Sequence, residues 1–320
     1  MDLESKLSRA LAIRIKLQVS LASMDVIEEW MDIHLTRWIE SVPLPPELPM
    51  GHQAHFGVFL ATDLQRLRWD AYGNPAGFIP KMADYLQKCG MSPQDTQLLD
   101  TMGNDLLPEL VGSWISVVDK KIITGWQFCD EHPFAAIADM FGDHEAKHTL
   151  MAWMDENNIS SFRRFSQSIG DEPFSELELV VPGVAVDDQL DRVSQAFETL
   201  TGDPLPESAT TAMSNAVSPG FAVAVRMEHG TITRVSAISP SFGNDLIARF
   251  CADAGIRFHD KLGNVAGSLG ADGADRIAFN RTLAPGTTDA TGDDATRYVD
   301  DIDVYVIPSD SEMGPPPEVN

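Results

Sequence analysis

The run HEAKH at residues 144–148 sets His144 and His148 four apart with Glu145 after the first. On a helix this spacing presents two imidazoles and a carboxylate to one zinc ion, the arrangement of a metal-dependent hydrolase. Against it, Asp143 precedes the pair, Lys147 lies between the histidines and Gly142 marks the helix start, a pattern that describes a solvated surface helix. Zinc hydrolysis is therefore the weaker reading of this motif.

A second group of residues suits anion chemistry. Arg66, Arg68, Arg226, Arg234 and Arg281 fall on segments that read as strands. Guanidinium groups gathered from several strands bind a multiply charged anion through paired N–H donors. Arg68 and Arg234 lie mid-strand on the polar face, whereas Arg226 and Arg281 lie nearer turns, where a surface arginine is the alternative. Glu176 and Glu178 alternate with Leu177 and Leu179 in FSELELVV, so the two carboxylates share one face. Either could orient a substrate or take its proton, or could pair with Arg163 or Arg164 across the hairpin. Tyr72, Trp126 and Tyr305 offer π faces that would steady a cation, and a place in the core is an equal alternative for Trp126.

Composition limits the partners. Lys+Arg 23 against Asp+Glu 48 gives a net charge of -25 over 320 residues, which repels nucleic acid and anionic membrane surfaces. An anionic substrate needs a local arginine cluster working against that field. Cys89, Cys129 and Cys251 are far apart and form no disulfide or thiolate-zinc pattern. The first residues carry scattered charges unlike a signal peptide, and no run approaches a membrane span, so a soluble cytoplasmic protein is expected. GNVAGSLGADGAD at 263–275 lacks a phosphate-loop lysine, and the acidic residues of 289–303 lack a calcium-loop pattern.

The elements that must position these residues recur. Leu3, Leu7, Leu11, Ile15 and Val19, then Ile27, Met31, Leu35 and Trp38, are at helical spacing, and VPLPPELP ends the second helix. Hairpins are expected in 55–73, 112–133, 160–183, 220–239 and 276–308, the fourth turning at Gly230. Helical stretches fill the intervals, including 133–140, 145–157, 186–200, 206–216, 242–254 and 256–265. The order helix, helix, strand, strand thus repeats about five times at a period of roughly 50–60 residues. About ten antiparallel strands of this kind close edge to edge into a barrel with helices outside. The strands bury their apolar face against the helices, so their polar residues line the interior.

This order resembles the aromatic prenyltransferases of the ABBA, or PT-barrel, superfamily. The resemblance covers nearly the whole chain in element order and is most specific at HGTITRVSAIS, residues 229–239, similar to the family's fourth hairpin. It implies that Arg234 grips a prenyl diphosphate, and that Arg68, in LRWDAY, stands where metal-independent members carry arginine instead of a Mg²⁺-holding aspartate. The sequence departs from the family at ITGWQF, where Thr124 or Gly125 replaces a usual lysine, and at the acidic last strand VDDIDVYV. The resemblance implies one PT-barrel domain over 1–308 with a disordered tail at 309–320, present as a monomer or homodimer. Its expected activity is transfer of a dimethylallyl or longer prenyl group to an aromatic small molecule in secondary metabolism. Diphosphate would be bound by Arg68, Arg234, Arg226 and Arg281, the acceptor by Tyr72, Trp126, Tyr305 and Glu176, with Glu178 catalytic. No cofactor is expected, Mg²⁺ being possible but not favoured. The alternative is a barrel of this kind that binds a ligand or runs another reaction.

Overall fold

The structure, a computed structural model, describes residue 38 and residues 56–118, 121–170, 173–214, 220–242, 244–263, 274–284 and 298–306. Most of the expected first helix pair, the loop before the last strand and the tail at 309–320 lie outside the described residues.

Period-two alternation gives ten strands: β1 Phe56–Ala61, β2 Arg66–Gly73, β3 Leu110–Val118, β4 Lys121–Pro133, β5 Ser161–Ile169, β6 Phe174–Val180, β7 Ala222–Glu228, β8 Thr231–Phe242, β9 Ala274–Leu283 and β10 Tyr298–Val306. All neighbours are antiparallel, and β1 pairs with β10, so the sheet closes into a barrel without free edges. Among the described residues the α-helices are α1 Pro75–Lys88, α2 Pro93–Leu106, α3 Glu145–Glu156, α4 Val186–Thr201, α5 Glu207–Met213 and α6 Asn244–Asp253.

Local chemistry fixes where the helices begin. Asn74 and Ser92 accept backbone N–H bonds from Ala76 and Asp95, and Pro75 and Pro93 follow them in the first turn, where a missing N–H costs nothing. Two expected helices are corrected. Residues 134–141 form two short 3-10 turns, because β4 continues to Pro133 past a bulge between Cys129 and His132. Residues 256–259 have no helical structure, the α6 chain having turned at Gly255 with φ +67°.

The core lies outside the barrel, between wall and helices. Leu67, Trp69 and Ala71 of β2, Leu177 and Leu179 of β6, and Val223 and Val225 of β7 are buried there. Trp126 belongs to this layer too, its ring 5.0 Å from Phe128 and 5.5 Å from Phe165. The alternate residues of the same strands face a polar lumen.

One glycine is required by a close approach. The Trp114 indole lies over Gly125, and a Cβ there would strike both that ring and the carbonyl oxygen of Gln167. Gly125→Ala is expected to destabilise the fold by about 1–3 kcal/mol, read from urea unfolding, as overpacking of a close-packed wall does.

Candidate active site

The cavity lies inside the barrel toward the hairpin-turn end, with an empty volume of about 650 Å³ that includes its open mouth. Arg66, Arg68, Arg164, Arg226 and Arg234 line it from β2, β5, β7 and β8. Pairing sets Arg226 opposite both Arg234 and Glu176, so three charged side chains meet on adjacent strands. Phe59, Trp114 and Phe174 supply an aromatic wall, and Ala224, Ile238 and Ala278 an apolar one.

Each guanidinium is held in place. Arg68 donates through Nε to Asp70 at 2.6 Å and through Nη2 to the Gln127 side-chain oxygen at 2.8 Å, and it stacks 4.5 Å from the Trp114 ring. Trp114 in turn donates its indole N–H to Ser166 at 2.9 Å, which fixes the ring plane. Arg226 donates to Glu176 at 2.9 and 3.1 Å and lies 3.9 Å over Phe174. Asp303 bridges Arg66 at 2.6 Å and Arg234 at 2.5 Å, and Asp301 accepts from Arg66 at 2.7 Å. Burial would raise the Glu176 pKa, but Arg226, followed by Arg68 and Arg164, outweighs it and brings it to about 2. Glu176 is therefore an anion at any ordinary pH.

Glu178 is placed differently from its expected catalytic position. It does not line the cavity and lies at the opposite end of the lumen, where Arg163, Arg164 and Arg276 all donate to it. Burial acts to raise its pKa, and the three guanidiniums reverse this and hold it well below the usual carboxylate range. The pairing with Arg163 and Arg164, weighed at the outset as the alternative to general-base work, is the one formed. Tyr72 and Tyr305 are also at that end. The Tyr72 hydroxyl donates to Asp70 at 2.9 Å, and the Tyr305 ring covers Gly57, 4.5 Å from Phe59. Burial, then the Asp70 charge, pushes both phenol pKa values up, so both stay neutral.

Two expected site residues are on the wrong side of the wall. Arg281 faces the helices, donating to Asp300 at 3.0 Å and to the carbonyl oxygens of Asp203 and Pro204 after α4. Its neighbour Asn280 takes the inward position, so the one-residue phase of the strand removes Arg281 from any lumen anion site. Trp126 is excluded by the same rule, since Gly125 and Trp114 face each other on the inner side. HEAKH is split: His144 precedes α3 and its ring lies against Gly230, while a His148 ring nitrogen is 2.8 Å from Asp143. Among the described residues no three metal-ligating side chains converge.

Sequence reasoning did not single out Arg164, Phe59, Trp114 or Phe174 for the site. A signal existed for two of them: Trp114 shares a face with Gly112 and Ser116, and Phe174 with Glu176 and Glu178.

No known protein-family profile matches the chain. It is 25% identical over 249 residues to a PH domain-containing protein of Dictyostelium discoideum, the match taking in 76% of this chain and 54% of that protein. The chain thus spans about half the length of that curated relative. Solved structures are similar over nearly all of it. Prenyltransferase PriB, in ternary complex with L-tryptophan and dimethylallyl thiolodiphosphate, superposes with a TM-score of 0.66 at 12% identity, over 97% of this chain and 98% of that one. NotF, in complex with brevianamide F and DMSPP, gives 0.64 at 11%, over 96% and 95%. The 5-dimethylallyl tryptophan synthase from Streptomyces coelicolor, in complex with DMASPP and Trp, gives 0.61 at 10%, over 97% and 98%. The closed ten-stranded barrel and these superpositions together give this chain the PT-barrel (ABBA) fold of the aromatic prenyltransferases.

Proposed function

We propose that the barrel transfers a prenyl group, dimethylallyl in the simplest case, from its diphosphate to an electron-rich aromatic small molecule such as an indole or a phenol. The observation that carries this reading is the convergence of Arg68, Arg226 and Arg234 on one cavity inside the barrel that also has an aromatic wall. Breaking the allylic C–O bond leaves negative charge on diphosphate, which preorganised guanidiniums stabilise in a site with little water. Phe59, Trp114 and Phe174, whose rings already carry the Arg68 and Arg226 guanidiniums, border the space in which the allyl cation would form, and the acceptor ring attacks it to form the new bond. The ring proton is then lost. Glu176, ionised and lining the cavity, is a carboxylate that could receive it.

The same reading includes metal-independent catalysis. Asp70, Glu176, Asp301 and Asp303 are each engaged by a guanidinium, an arrangement in which arginines supply the charge a divalent cation would otherwise bring. Cytoplasmic residence, as a monomer or homodimer, is part of the proposal. No described helix is long and apolar enough to cross a membrane.

Purified protein incubated with dimethylallyl diphosphate and a panel of indoles and phenols is expected to give a singly prenylated product by mass spectrometry, with rate unchanged by EDTA. Binding of a diphosphate donor analogue without any product would favour the second reading, a barrel that binds anions and does not transfer prenyl groups. That reading draws support from the carboxylate partner each lumen arginine already has.

A further inference from the structure

The cavity-lining charges are unevenly matched. Among the described residues, Arg66, Arg68, Arg164, Arg226 and Arg234 line it, and of the described carboxylates Glu176 and Asp303 do. These two reach all five arginines. Asp303 bridges Arg66 and Arg234, one oxygen to each. Glu176 receives both Arg226 donors on Oε2, while Oε1 lies 3.8 Å from Arg68 and 3.9 Å from Arg164. An anion entering from the mouth therefore meets the guanidiniums where these carboxylates already sit.

We propose that Glu176 and Asp303 are internal counter-ions that determine which anion the lumen accepts. They hold the guanidinium donors that phosphate oxygens would take, and only a polyanion of diphosphate type has the charge and oxygens to compete with both. This rests on reading the lumen as a diphosphate site. The physical basis is twofold. Charge-assisted hydrogen bonds to a guanidinium are the strong ones, so an incoming anion must replace them with bonds at least as good. It must also tolerate two fixed negative charges beside it, and like-charge juxtaposition of this kind costs several kcal/mol. Inorganic phosphate can replace one bridge and remains repelled by the other carboxylate. Pyrophosphate, with a phosphoryl group at each end, has the oxygens to replace both.

The test is calorimetric titration of the intact protein with inorganic pyrophosphate and inorganic phosphate, on wild type, Glu176→Gln and Asp303→Asn. Each amide keeps the shape and an acceptor oxygen while removing the charge. Wild type is expected to bind pyrophosphate at least about tenfold more tightly than phosphate. Each variant should bind both anions more tightly, pyrophosphate by about tenfold or more. Because either change leaves buried guanidiniums short of a partner, the variants should melt at lower temperature than wild type without ligand and gain more from pyrophosphate. Asp301→Asn is a third variant: its carboxylate accepts from the cavity-lining Arg66 and its side chain is 23% exposed, so folding is less at risk, and pyrophosphate affinity should also rise.

Unchanged or weakened pyrophosphate binding in the folded variants would overturn the proposal, as would wild-type protein that binds phosphate as well as pyrophosphate, or neither. The outcomes separate it from the enzymatic reading. Prenyl transfer by wild type with no tightening in the variants sinks the counter-ion role alone. Tightening in the variants with no product from any acceptor sinks prenyl transfer alone.

Discussion

Arg234→Gln is expected to lower kcat/KM for prenyl transfer by about a hundred- to thousandfold, the loss that follows removal of one preorganised donor from a developing anion. The change should leave the fold intact, because Asp303 keeps its bond to Arg66 and the neighbouring Arg226 keeps Glu176. Steady-state kinetics with dimethylallyl diphosphate and the best acceptor read the effect. Arg281→Gln is the matched control, since its guanidinium is outside the wall on Asp300 and on the carbonyls of Asp203 and Pro204. It should cost about 1–3 kcal/mol of stability through the unpaired carbonyls and carboxylate, and leave kcat/KM within about threefold. Equal losses of activity in the two variants would mean that the inner face is not where the diphosphate binds.

Glu178→Gln is expected to act on stability first. Glu178 is buried and receives Arg163, Arg164 and Arg276, so neutralising it leaves three guanidiniums around an amide and costs about 3–5 kcal/mol, as breaking a buried ion pair does. The pH dependence follows from the lowered carboxylate pKa values. A depressed folded-state pKa means that the unfolded chain binds the proton more readily, so the stabilisation is complete above the unfolded glutamate value of about 4.3 and is lost as pH falls below it. For Glu176 the loss runs down to about pH 2, and Glu178 titrates lower still. Urea unfolding from pH 7 to 2 should show wild-type stability falling steeply below about pH 4.5, and a flatter curve for Glu178→Gln. Parallel curves would contradict this stabilising role, and a Glu178→Gln variant of full stability and greatly reduced turnover would restore Glu178 as a general base.

The barrel was legible because its strands alternate with polar residues on the concave side, the reverse of a barrel with an apolar core. Arg66, Arg68 and Asp70 against Leu67, Trp69 and Ala71 set the phase of β2 without ambiguity, and the structure keeps it. In β9 the run Asn280, Arg281, Thr282 is polar at three successive positions, so alternation alone does not say which side Arg281 takes. Asp300 opposite it and the turn after α4 settle the matter through contacts far apart in sequence. Trp126 was ambiguous for another reason: a large aromatic fits either a lumen wall or the helix interface. The neighbouring Gly125, required by Trp114, decides in favour of the interface. The helical reading of 133–140 failed on length, since the apolar spacing there spans little more than two turns. The carboxylates' partners were the least legible feature. Which guanidinium takes Glu176, Glu178 or Asp303 depends on barrel closure and register, which bring β2, β6, β8 and β10 to one cavity.

A crystal structure of the protein with dimethylallyl thiolodiphosphate bound is the most direct examination of that cavity. The diphosphate oxygens are expected within hydrogen-bonding distance of Arg68, Arg226 and Arg234, with Glu176 or Asp303 displaced from its guanidinium and the allyl group against Phe59, Trp114 or Phe174. A diphosphate bound outside the barrel, or a lumen left as it is at saturating analogue, would contradict the reading.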